Sequence, residues 1–174
     1  IGLVFNPVQA EQLPQRWVSA GGALSEWIAE LGAESRLVGV DTTSQHPESL
    51  KALPSIGYQR QLSAEGVLSL RPDVLVGTEE MGPPPVLAQI RGAGVRVELF
   101  SSRADLEAVQ LNLKHLGELL GKPEQAEQRY SDYRKQLDSL RERIKTAQGA
   151  DKAPGVILLV GHAGAKPMIA GKGT

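Results

Sequence analysis

The chain has 174 residues, 41% of them hydrophobic, which is near the upper range of one ordinary domain and enough for a real core. A formal net charge of -1, a pI of about 6.4 and the absence of any Lys/Arg run leave no electrostatic footprint for nucleic acid or for a polybasic membrane patch. With no cysteine there is no disulfide framework, thiolate metal site or cysteine nucleophile.

At the start, Ile1-Gly2-Leu3-Val4-Phe5 is apolar and Val8-Gln9-Ala10 precedes Glu11-Gln12 in the manner of a signal-peptidase site. Residues 1–10 read as a signal-peptide remnant, which would make the protein an exported one beginning at Glu11. The other reading is an apolar first strand. Trp17-Val18-Ser19 then predicts a strand running into Gly21-Gly22. Ala23, Leu24, Trp27, Ile28 and Leu31 recur at helical spacing, predicting a helix over Ser25–Leu31. The glycine pair lacks the third glycine of a dinucleotide fingerprint and reads as close backbone packing. A second unit follows: a strand over Arg36–Val40, then a capped helix start at Pro47-Glu48-Ser49-Leu50. His46 lies just beyond that strand's carboxyl end, where ligands collect in open α/β sheets, but a solvated loop residue is the commoner case and it receives no role.

The next stretch, Leu53 to Leu62, places Tyr58 and Arg60 in a Pro/Gly-rich loop. Gly57 permits a sharp turn and leaves room for a flat ligand, while Pro54 stiffens the approach. In extended backbone Arg60 would share a side with Tyr58, where its cation would favour a phenolate or bind a carboxylate. Tyrosinate is one of the few protein axial ligands of haem iron. A surface-packed ring on an ordinary turn is the bland alternative.

Ser63–Leu70 predicts a short helix, Val74-Leu75-Val76 a buried strand, Val86, Leu87 and Ile90 a helix after three prolines, and Val95–Leu99 another strand. Alternation at this spacing argues for a mostly parallel sheet with helices on both faces. Ser102-x-x-Asp105 resembles a capping box opening a helix with the seam Leu106, Val109, Leu113, Leu116 and Leu120, ended by Gly121. From Pro123 to about Gln148 runs a charged helix with one narrow stripe: Ala126, Tyr130, Tyr133, Leu137, Leu140, Ile144 and Ala147. At 1.5 Å per residue it would span about 39 Å. Three heptads flanked by compact α/β sequence favour a connecting spine over a coiled coil. Val156–Val160 then predicts a buried strand with no partner before the sequence stops at Thr174, so a truncated or longer parent protein is expected.

Several of these stretches together resemble the periplasmic haem-binding proteins of bacterial haem-uptake ABC transporters: Trp17 to Leu31, Ile56 to Gly66, the strand after Arg71-Pro72-Asp73, the long helix, and Gly161-His162-Ala163-Gly164 with Pro167 to Gly171. Two lobes joined by a long helix are shared with vitamin B12 and ferric-siderophore binders. The segment Gly57-Tyr58-Gln59-Arg60-Gln61-Leu62 is similar to the haem-ligand loop of the haem branch.

The resemblance implies a Rossmann-like, parallel-sheet α/β lobe over 11–121, an interlobe helix over 122–149 and the beginning of a second α/β lobe over 150–174. It implies Tyr58 as axial ligand of Fe(III) haem, Arg60 as the basic residue stabilising its phenolate or a haem propionate, and His162 at a position that in some relatives helps hold a second, stacked haem. The permease of an ABC importer is the implied partner, with Glu79 and Glu80 placed as docking carboxylates by position, and self-association could cover an exposed strand. A siderophore or corrinoid carrier on the same fold is the alternative. A nucleotide enzyme would need a glycine fingerprint with an acidic ribose ligand, and His46, His115 and His162 lack zinc-helix spacing. Catalysis is not expected.

Overall fold

The computed structural model describes residues 12–149 together with 159–160 and 168–169. Two compact units result, Ile1–Tyr133 and Arg134–Thr174.

The first unit is built on four parallel strands in the order β2-β1-β3-β4: β1 Trp17–Ala20, β2 Leu37–Val40, β3 Val74–Thr78 and β4 Arg96–Phe100. Its helices are α1 Gly22–Glu30, α2 Ala64–Ser69, α3 Pro84–Gly92 and α4 Leu106–Leu120, followed by α5 Pro123–Gln148, which runs on past Tyr133. Side chains of a strand alternate between faces, so each central strand feeds two cores. Trp17, Val74 and Val76 enter a cluster with Leu24 and Ile28 of α1 and Leu113 and Leu116 of α4. Val18 and Leu75 enter the other, with Val67 of α2 and Leu87 and Ile90 of α3. Helices therefore cover both faces, as the strand-helix alternation predicts. β4 is the open edge and carries Arg96 and Glu98, charges that discourage pairing with another chain.

Several predicted boundaries are corrected. α1 begins at Gly22, not Ser25, because the glycine turn itself opens the helix. Arg36 belongs to a 3-10 turn before β2, and β4 lies one residue later than predicted. The helix expected from Pro47 is a 3-10 segment, Glu48–Ala52, whose one buried residue, Leu50, gives too narrow a face to extend it. The N-cap of α4 is Asp105, not Ser102: its carboxylate accepts from the Ala108 N–H at 2.8 Å. Gly121, at φ 69°, ends α4 as expected.

Along α5 the stripe changes character. Ala126 is buried and packs at Gly117, where a Cβ would come within 2.5 Å of the Ala126 Cβ, so only glycine lets the chain double back from α4 so closely. Tyr130 packs on the core, but Leu140 and Ile144 are exposed.

In the second unit, β5 Leu159–Val160 pairs antiparallel with β6 Met168–Ile169. The strand predicted to have no partner has one. Residues 1–10 and His162 lie outside the described residues.

Candidate functional site

Four loops meet at the carboxyl ends of β1, β2, β3 and β4, the edge at which open α/β sheets bind ligands. The loop after β1 is Gly21-Gly22. Gly21 has φ 143°, a conformation that favours glycine, and a Cβ on Gly22 would meet the Thr43 carbonyl oxygen at 2.6 Å. The close backbone packing read from the sequence is therefore against the loop that follows β2.

A buried polar network locks these two loops together. Asp41, 2% exposed, accepts from the Gly21 N–H at 3.0 Å, from the Ser44 hydroxyl at 2.9 Å and from the Thr43 hydroxyl at 2.8 Å. The Gly22 N–H donates to Thr43 Oγ1 at 2.9 Å. Ser25 Oγ lies 2.8 Å from Ser19 Oγ and 2.7 Å from Ser44 Oγ, all three residues being fully or almost fully buried. Such satisfied networks rigidify the backbone around them.

The Tyr58 loop is anchored in turn to the outer edge of β2. The Val40 N–H donates to the Pro54 carbonyl and the Ile56 N–H to the Val40 carbonyl, each at 3.0 Å, and the Thr42 N–H reaches the Gly57 carbonyl at 2.9 Å. Gly57 has φ 83° with no atom within 4 Å of where its Cβ would lie, so the turn needs glycine and the space beside it is open. Beyond it the chain does not stay extended. The Gln61 N–H donates to the Tyr58 carbonyl at 2.8 Å, closing a turn, which corrects the expectation that Tyr58 and Arg60 share a side through strand alternation. The loop is then stitched to the one after β3: Gly82 N–H to Gln59 carbonyl at 3.0 Å, and Leu62 N–H to Gly82 carbonyl at 2.9 Å.

Tyr58 emerges 42% exposed. Arg60 pairs with Glu80, its Nη2 lying 2.6 Å from Oε2. The hydrogen bond that Arg60 donates to Glu80 and then the charge of Glu80 raise the Arg60 pKa, with the charge of Tyr58 adding in the same direction, so the guanidinium keeps its proton. Glu79 accepts from the Ser102 N–H and hydroxyl at 3.4 Å each. Both carboxylates placed by position as docking groups are thus engaged within the chain.

These loops border a cleft of about 300 Å³. Its apolar wall is Leu24, Trp27 and Val109, and the Trp27 ring meets Tyr133 edge-on at 5.9 Å and 86°. Gln59 and Glu80 line it, whereas Tyr58, the neighbour of Gln59, and Arg60, the partner of Glu80, are not among its lining residues. Arg103 is a second cation on the lining, paired with Asp105 at 3.0 Å and Glu107 at 3.1 Å. Gln59 Oε1 is buried and has no hydrogen-bond partner among the described residues.

Sequence reasoning singled out Tyr58 and Arg60, did not single out Gln59, Asp41 or Arg103, and took Trp27 only as helix core. Arg103 follows a strand's carboxyl end, a usable signal; the partners of Asp41 are scattered and left none. His46, given no role, is exposed.

The arrangement offers an exposed phenol, a cation whose charge interacts with it, an apolar wall and open space. The family model described as periplasmic binding protein matches residues 18–174. A crystal structure of a periplasmic haem binding protein from Pseudomonas aeruginosa is similar with a TM-score of 0.89 at 63% identity, over 92% of this chain and 57% of that one. The apo form of the periplasmic haem-binding protein RhuT from Roseiflexus sp. RS-1 gives 0.84 at 37% identity, over 92% of this chain and 60% of that one. A curated vitamin B12-binding protein of Yersinia pestis is 27% identical over 148 residues, 85% of this chain and 51% of that protein. This chain spans about half the length of that curated relative. The parallel α/β sheet, the cleft at its strand ends and the match over residues 18–174 together place the chain in the periplasmic binding protein family.

Proposed function

We propose that this protein captures ferric haem in the periplasm through the phenolate of Tyr58 and delivers it to the permease of an inner-membrane ABC importer. The observation that carries the reading is Tyr58 itself: a 42% exposed tyrosine on a glycine-shaped turn, over open space, with the Arg60 guanidinium nearby. An anionic oxygen prefers Fe(III) to Fe(II), and Arg60 binds a propionate. Leu24, Trp27 and Val109 supply apolar surface for one porphyrin face, at about 25 cal/mol per Å² covered. The haem-binding relatives, similar over most of this chain, support the same ligand. In this reading residues 11–121 form the lobe that carries the ligating loop, 122–149 the interlobe helix and 150–174 the beginning of a second lobe, where His162 serves a second, stacked haem.

The vitamin B12-binding relative favours a corrinoid as the second reading. A corrin ring is edged by amides and the cobalt of cyanocobalamin already carries both axial ligands, so Tyr58 would have no open metal position and Arg60 no carboxylate to meet. Separate equilibrium titrations with haemin and with cyanocobalamin distinguish the two. Haemin is expected to bind at about 1 μM or tighter and cobalamin at least about 100-fold more weakly. The reverse order would establish a corrinoid carrier and release Tyr58 from its role.

A further inference from the structure

The Arg60–Glu80 pair does more than brace a loop. At 2.6 Å it is the short charge-assisted hydrogen bond expected of a guanidinium with a carboxylate, yet both side chains are about half exposed, 52% and 45%. Glu80 is also a lining residue of the cleft, and Arg60 is bonded to it without lining the cleft itself. A cleft-lining carboxylate thus occupies a guanidinium that a ligand's own carboxylate would seek. Exposed pairs of this kind are weak, so exchanging one carboxylate for another there costs little.

We propose that Glu80 is a stand-in carboxylate, holding the Arg60 guanidinium until a carboxylate of the ligand takes its place. Building on the haem reading above, the incoming group is a haem propionate. Glu80 then acts in two ways on the same ligand: it keeps Arg60 oriented toward the cleft, and it sets a threshold that only a ligand with a carboxylate of its own passes. A porphyrin whose edge carries esters gains nothing from displacing it. Arg103, on the same lining and already paired with Asp105 and Glu107, offers a comparable exchange on the other loop.

The test compares the native protein, Glu80→Gln, Arg60→Gln and the double variant, each titrated with haemin and with haemin dimethyl ester. Removing the competing charge is expected to tighten haemin binding about threefold to fivefold, the size of one exposed ion pair. The ester should bind the native protein and Glu80→Gln alike, and the gain with haemin should vanish when Arg60 is also replaced. The axial-ligand bands should not move. If Glu80→Gln binds haemin equally or more weakly while the native protein keeps its tyrosinate spectrum, Glu80 is only a brace for Arg60 and the exchange is overturned with the haem reading intact. If the native protein takes up neither porphyrin, both fall together.

Discussion

Replacing Tyr58 by phenylalanine is expected to remove the tyrosinate charge-transfer band of the ferric haem complex and to weaken haemin binding by at least about 100-fold. Loss of an outer partner of a metal ligand typically costs 10- to 100-fold, and here the ligand itself is lost. A 100-fold loss is about 2.7 kcal/mol. Because the ring is 42% exposed, the substitution should leave fold stability within about 0.5 kcal/mol, so the effect will be one of binding. Absorbance titration across the Soret region, beside a thermal melt of the same variant, checks both parts. Binding retained with an unchanged spectrum would move the ligand away from Tyr58.

Asp41→Ala is expected to do the opposite: a large loss of stability from a residue that touches no ligand. Asp41 receives the Gly21 N–H and the Ser44 hydroxyl in a buried setting; the first would be left without its acceptor and the second with only Ser25 Oγ to turn to. An unsatisfied buried donor costs about 1–3 kcal/mol, so a loss of about 3 kcal/mol follows, lowering Tm by roughly 10 °C for a chain of this size. Asp41→Asn keeps one carbonyl acceptor and should lose about half as much. Thermal unfolding followed by circular dichroism decides it. A melt unchanged in Asp41→Ala would mean that the loops after β1 and β2 are held by backbone packing at Gly22 and Thr43 alone.

The contrast between these two residues shows what the sequence made legible. Tyr58 could be singled out because its surroundings are local: Gly57 must take a positive φ, and Pro54 and Gly57 bracket the turn within a few residues. The sheet was readable for a similar reason, since runs such as Val74-Leu75-Val76 serve two cores at once and leave an unbroken apolar signature. Asp41 was not readable, because its network joins Ser19, Ser25 and Ser44 across three loops and elements with no common period. The pairing of Arg60 with Glu80 is separated by 20 residues and depends on the stitch at Gly82, which no side-chain pattern announces. Local competition explains the smaller errors. Ser102 and Asp105 are both good caps, and only the placement of β4 decides that Asp105 meets the Ala108 N–H. The turn from Tyr58 to Gln61 likewise follows from hydrogen bonds between loops, so strand alternation was the wrong rule for relating Tyr58 to Arg60.

The most direct measurement of the central claim is the resonance Raman spectrum of the ferric haem complex, excited within the charge-transfer band. Ligation by Tyr58 predicts enhanced phenolate ring and carbon–oxygen modes, which shift when the protein is grown with ring-deuterated tyrosine. A complex showing no tyrosine-sensitive modes, with the pattern of a water or imidazole ligand instead, would contradict it.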